Sequence, residues 1–235
     1  MKISDFHSHI LPGIDDGSRN LEESIELLGM ETAQGVRRVV ATPHFYPRRD
    51  KPERFLERRA RAEAQLRAAI GGRPEFPEIL MGAEVYYFPG ISESDALPAL
   101  TIGQTKCVLI EMPQSPWTES MYRDLAGIPE KHALTPIIAH VDRYIGPFRT
   151  HGIPRRLEEL PLMVQANASF FLQLSTRSMA LRMLRSGQIH VLGSDCHDPK
   201  NRVPNLRKAE QIILKALGPE AIDAVRDNEE ILLAK

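Results

Sequence analysis

Six short apolar runs, separated by helical patterns, each close on a histidine or a carboxylate. They span residues 3–9, 36–44, 78–84, 107–111, 136–140 and 189–197, and a further run at 162–167 ends on Asn167. Continuous apolar runs this short, bounded by turn residues, read as strands buried on both faces. Helical patterns fill the intervals. The first is capped by Asn20, with Glu23 in a capping-box position, Leu21, Ile25 and Leu28 facing inward, and Gly35 closing it. Others cover 53–70, 119–132, 177–186, 205–217 and 219–233. Such alternation points to parallel strands joined by helical crossovers, hence an α/β fold.

The closing residues carry the chemistry. In a strand, alternate side chains share a face, so His7 and His9 point the same way, as do Asp195 and His197. In an α/β barrel the C-terminal strand ends open onto one face, where sites are built. Side chains scattered in sequence would then converge in space. With Asp16 from the first loop, the candidate ligands are His7, His9, Asp16, His44, Glu84, Glu111, His140, Asp195 and His197. One cation takes about four to six ligands, so nine donors suit two or three. Nitrogen and oxygen donors without thiolate suit Mn, Fe or Zn. His132, His151 and His190 lie away from strand ends and read as ordinary residues.

Composition narrows the function classes. A chain of 235 residues can form a single α/β domain. A formal net charge of -1 gives no bulk attraction for nucleic acid or a membrane surface. The cysteines, Cys107 and Cys196, are too few for a disulfide framework, as in a reducing compartment. No apolar run approaches transmembrane length, and His7 leaves no room for a signal peptide. A cytoplasmic protein without membrane insertion is expected.

Three stretches carry a resemblance. Asp5-Phe6-His7-Ser8-His9-Ile10-Leu11-Pro12-Gly13-Ile14-Asp15-Asp16-Gly17-Ser18, Ala41-Thr42-Pro43-His44 and Gly193-Ser194-Asp195-Cys196-His197 are similar to motifs of the PHP (polymerase and histidinol phosphatase) superfamily. The branch they resemble is the stand-alone bacterial tyrosine phosphatase of the CpsB/YwqE type, over nearly the whole chain. The resemblance implies a distorted TIM-like (β/α)7 barrel, one domain over 1–235, and a trinuclear site. It places His7, His9, Glu84 and Asp195 on one metal. Glu84, Glu111 and His140 fall on a second, with Glu84 bridging, and Asp16, His44 and His197 on a third. It also assigns Arg143 and Arg202 to the phosphate, a role suited to forked, permanently charged guanidinium donors. The implied substrate is a phosphotyrosine protein, a tyrosine kinase of capsule or exopolysaccharide export. Here His140-Val141-Asp142-Arg143-Tyr144 departs from the branch's usual His-Pro-Glu-Arg-Tyr.

The expected reaction is metal-assisted hydrolysis of a phosphomonoester, with Asp142 or water as general acid. Three rival readings accompany it. Cys196 and Arg202 have the Cys-x5-Arg spacing of thiolate phosphatases, but no glycine lies between them and Asp195 precedes the cysteine. A small-molecule phosphoesterase, such as a histidinol-phosphate phosphatase, would share the metal site. A metal-stabilised binding domain without turnover would have no use for the arginine pair. Oligomeric state and physiological metal stay open.

Overall fold

The computed structural model describes residues 3–145 and 152–234, so His151 lies outside the described residues. Every strand pairing is parallel. β1 (Asp5–Ser8), β2 (Arg38–Ala41) and β4 (Glu78–Met81) form one sheet, in the order β1-β2-β4. β3 (His44–Phe45), β5 (Glu84–Tyr86), β6 (Cys107–Glu111), β7 (Thr135–Ile138), β8 (Met163–Asn167) and β9 (Val191–Gly193) form the other, in that order.

The two sheets are pieces of one curled surface. The sequence runs 36–44 and 78–84 read as single strands; each is broken in two. Pro43 has no N–H to donate, which interrupts the ladder between β2 and β3. Bonding steps across the break, with Gly82 N donating to Ala41 O at 2.8 Å and Glu84 N to Pro43 O at 3.1 Å. His44 and Glu84 therefore begin resumed strands instead of ending them. At the far edges β1 meets the chain after β9: Asp195 N donates to His7 O at 2.7 Å, and His9 N to Cys196 O at 2.9 Å.

The helices cover the outside. α1 (Leu21–Gln34) is capped as the sequence predicts, Asn20 Oδ1 accepting from Glu23 N at 3.0 Å. Its capping box is incomplete, because the Glu23 carboxylate accepts from Arg19 N at 2.9 Å. The inward face is Ser24, Leu27, Leu28 and Glu31, while Leu21 and Ile25 are only half-buried. Gly35 closes the helix at φ 77°, where a side chain would be strained. α2 (Pro52–Ile70), α3 (Glu119–His132), α7 (Leu206–Leu217) and α8 (Pro219–Leu233) lie within a residue of expectation. The short α4 (Ile153–Glu158) and α5 (Ala168–Leu172) are new, and α6 (Leu174–Arg185) starts three residues early. One or two turns give no readable period.

Packing grades from apolar to polar along the strands. On β6, alternate residues Cys107 and Leu109 join a small inner cluster with Phe6, Val40, Ile137 and Val191, and the next on that face is Glu111. Truncating Ile137 to alanine there would cost about 2–5 kcal/mol. Leu232 of α8 packs into the same cluster, and Cys107 Sγ donates to its carbonyl at 3.2 Å.

Nearby on α8, Ser4 N–H forks across both oxygens of buried Glu229, at 3.0 and 2.9 Å. Burial pushes the Glu229 carboxyl up from 4.5 to about 8, against those bonds. The folded chain thus binds this proton more tightly than the unfolded one. Stability should fall as pH rises from 4.5 through about 8. Glu229→Gln should lose less stability than the parent between about pH 6 and pH 9 in urea titrations; equal losses would show that Glu229 does not cause the decline.

Candidate metal centre

Nine side chains, from six strand segments and the first loop, lie together at one mouth of the curled sheet. Glu84 stands at the middle. Its Oε2 lies 3.1 Å from His7 Nε2, 3.3 Å from His9 Nε2 and 3.0 Å from His44 Nδ1, while Oε1 lies 2.6 Å from His140 Nε2. Asp195 Oδ1 is 3.7 Å from His7 Nε2 and 3.6 Å from His9 Nε2. Glu111 flanks the other side, 3.8 Å from His44 Nδ1 and 3.7 Å from His140 Nε2. Asp16, largely exposed at the rim, reaches His44 Nε2 at 3.3 Å and His197 Nε2 at 3.6 Å.

Four sets of donors in this mouth are compact enough to surround a cation: His9, Asp16, His44 and His197; His7, Glu84 and His140; His7, His9 and Asp195; and His44, Glu84 and Glu111. His9 joins the Asp16 group as well as the Asp195 group. Glu111 groups with His44 and Glu84, a different partition from the one the resemblance implies.

The donors fit cations on their own chemistry. His44 Nδ1, Glu84 Oε2, Glu111 Oε2, Asp195 Oδ1 and His197 Nε2 are all buried without a well-formed hydrogen bond, although some of them lie within ion-pair distance of a neighbour. Buried polar atoms are rarely left so. The Nε2 atoms of His7 and His9 stand 3.0 Å apart, two imidazole nitrogens converging. Acceptors behind the rings explain this. Gln165 Oε1 lies 3.2 Å from His7 Nδ1, and Asp15 Oδ2 2.8 Å from His9 Nδ1. An acceptor at Nδ1 holds a proton there and turns Nε2 toward the centre, where it can bind a cation once its own proton is displaced.

Electrostatics within the mouth are mutually compensating. Burial opposes a charged His9, yet Asp15 and Glu84 raise it to about 10. Burial and then Glu84 raise Glu111 to about 7. Burial and then the nearby His9 lower His197 to about 4. Asp195 stays well below the usual carboxylate range despite its burial, held there by His7, His9 and Arg143. Opposed shifts in one chamber are typical of a functional site. Backbone strain coincides with it: His140 and Asp195 adopt φ of 30° and 54°, unfavourable for residues with a Cβ.

A layer of support escaped the sequence reading. Asp15 also accepts from His44 N at 3.0 Å. Gln165 Oε1 accepts from His140 N at 2.6 Å, and its amide donates to Asn167 Oδ1 at 3.0 Å. Asn167 Nδ2 in turn donates to Asp195 Oδ2 at 3.0 Å. Tyr144 Oη sits 3.2 Å from His140 Nδ1. Gln165 had one readable signal, a polar residue inside an apolar run. Asp15 had none to separate it from its neighbour Asp16.

Both arginines reach the mouth. Arg143 pairs with Asp195 Oδ2 and lies 3.6 Å from Glu111 Oε1; Arg202 Nη2 lies 2.7 Å from Asp195 Oδ1. Asp142 Oδ1 accepts from Asn167 N at 2.9 Å, and burial raises its carboxyl to about 6. Cys196 is fully buried, and burial with Glu31 and Asp5 pushes its thiol up. A buried thiol held protonated in this way argues against a thiolate nucleophile at Cys196. His132 bonds Ser92 O at 2.9 Å and His190 bonds Val164 N at 3.0 Å, both away from the centre.

Fold and site together define a parallel α/β protein with a histidine–carboxylate centre suited to divalent cations. Its sequence matches the profile of the family described as "Capsular polysaccharide synthesis, CpsB/CapC" over residues 3–234, and the chain belongs to that family. It is 29% identical to the tyrosine-protein phosphatase CpsB of Streptococcus agalactiae over 232 residues, 92% of this chain and 91% of that one. It is 28% identical to the tyrosine-protein phosphatase YwqE of Bacillus subtilis, covering 97% and 91% respectively. A solved structure from work on YwqE of Bacillus subtilis and CpsB of Streptococcus pneumoniae, described as metal-dependent tyrosine phosphatases, superposes with a TM-score of 0.85 at 26% identity, covering 99% of this chain and 94% of that one.

Asp15→Ala should weaken divalent-metal affinity by about 10–100-fold, because His9 loses the acceptor that orients its ring. Competition against a chromogenic chelator measures this, and an unchanged affinity would show that His9 needs no such partner.

Proposed function

We propose that this protein is a metal-dependent protein-tyrosine phosphatase, acting on a tyrosine kinase of capsule or exopolysaccharide synthesis in the cytoplasm. The observation that carries the reading is the convergence of nine nitrogen and oxygen donors, five of them with buried atoms that make no well-formed hydrogen bond. Family membership and the names of the relatives support the substrate class. Consistent with a cytoplasmic site of action, no helix among the described residues is long and apolar enough to cross a membrane. We read the curled sheet as a (β/α)7 barrel, counting β2 with β3 and β4 with β5 as single positions, and the whole of 1–235 as one PHP-type domain.

His7, His9, Asp16, His44, Glu84, Glu111, His140, Asp195 and His197 would hold two or three divalent cations, Mn first, with Fe or Zn as alternatives. When bound, the cations supply charge that acidifies water and offsets the phosphate. Arg143 and Arg202, both at the mouth, would grip the equatorial phosphate oxygens, where charge accumulates in the transition state. Asp195 lies against both guanidinium groups and fixes their approach. The Gln165–Asn167 amides hold His7, His140 and Asp195 in place, so the site is organised before substrate arrives. A phenolate leaves with a conjugate-acid pKa of about 10, so departure demands less of a general acid than an alkoxide would.

Metal stripping should abolish hydrolysis of phosphotyrosine peptides, and added Mn should restore it; full activity in the chelated protein would sink the reading. Histidinol phosphate, run beside the peptides, should be the poorer substrate. Cys196→Ser should retain activity in the same assay.

Arg143→Ala and Arg202→Ala should each lower kcat/KM by about 10²–10³-fold on losing a transition-state donor. Values close to the parent's would remove the arginines from phosphate binding.

A further inference from the structure

On three strands that carry donors into the centre, a wall residue lies two positions past the donor, within the strand for Tyr86 and just beyond its end for Tyr46 and Pro113. Tyr46 follows His44, Tyr86 follows Glu84 and Pro113 follows Glu111. Strand alternation directs Tyr86 to the same side as Glu84. The ladder pairs His44 with Glu84, which sets Tyr46 level with Tyr86, and pairs Tyr86 with Glu111. The Tyr46 ring stacks on His44 at 5.0 Å between centroids and meets Tyr86 at 5.6 Å. Outward from the candidate centre, this wall borders a cleft of about 530 Å³, lined also by Phe88, Arg48 and Arg49.

The charge on this cleft is one-sided. None of its lining residues is acidic. Arg48 and Arg49 are exposed at its rim, and neither has a carboxylate within 4.0 Å among the described residues. On neighbouring α2, by contrast, Arg54 and Arg58 both face Asp50. Arg49 lies over the Tyr46 ring, 5.3 Å from its centroid, which aims one unpaired cation along the aromatic wall.

We propose that this cleft is a substrate subsite for an anionic peptide segment flanking the phosphotyrosine. The inference rests on the phosphatase reading and adds the chemistry of the flank. Tyr46 and Tyr86 would pack the leaving-group ring and the first residues beyond it. Arg48 and Arg49 would select acidic side chains, or a second phosphotyrosine, next along the peptide. Because these guanidinium groups are exposed, the selection is electrostatic and weakens with salt.

The test compares phosphotyrosine peptides with Glu, Gln or Lys flanks at low ionic strength, beside p-nitrophenyl phosphate. The parent protein should favour the Glu over the Lys peptide by about tenfold or more in kcat/KM, and added salt should compress the ratio. In R48Q/R49Q that ratio should fall to about one. A ratio is insensitive to a fraction of misfolded variant, which scales both substrates alike. Tyr86→Ala should raise KM for every peptide more than for p-nitrophenyl phosphate. Hydrolysis without flank preference, or a ratio unchanged in R48Q/R49Q, overturns the cleft assignment and leaves the phosphatase reading standing. Failure to hydrolyse p-nitrophenyl phosphate and all peptides overturns that reading and the subsite with it.

Discussion

Glu84 is a buried carboxylate facing four imidazoles, and much of the mouth is arranged to make that arrangement tolerable. An isolated buried carboxylate would protonate instead of staying charged. Here His7, His140 and His44 hold Glu84 well below its ordinary range against strong desolvation. The same carboxylate raises His9 and Glu111. Such mutual dependence ties strands from both sheets to a common electrostatic centre. It also explains why amides and acids from β8 and the first loop stand behind the rings, since a misplaced imidazole would leave a neighbouring charge uncompensated.

Support comes at close quarters. A Cβ on Gly193 would lie 2.6 Å from the Cβ of His7, so β9 can pass behind β1 only without a side chain there. Asp5 Oδ1 accepts from His7 N at 3.1 Å and from Ser194 N at 2.8 Å, pinning the two segments that carry the paired donors. Rigidity of this kind suits a candidate metal centre, whose donors have to keep fixed separations.

The sequence was most legible where polar residues interrupt or close an apolar run. His7, His9, Glu111, His140, Asp195 and His197 stand out this way, and each lies at the mouth. His44 and Glu84 were found for a partly mistaken reason, as strand ends, when a proline break makes them strand beginnings. Asp15 was invisible because two adjacent loop acids look alike until the loop's path shows which one meets His9. The inward face of α1 was misjudged by one position because its buried residues include Ser24 and Glu31, which no hydrophobic pattern marks. Glu31 lies beside Asp5 and Cys196, so that helix face is polar where it approaches the back of the centre.

The seam between β1 and the segment after β9 has a consequence for biosynthesis. His7 and His9 emerge from the ribosome first, while Asp195 and His197 follow nearly the whole chain later. Because backbone bonds join the two only across that separation, the nascent polypeptide has to keep its earliest candidate ligands waiting. Assembly of the centre thus comes late in synthesis: a product terminated before Asp195 would have the first histidines without the acid that closes their far side.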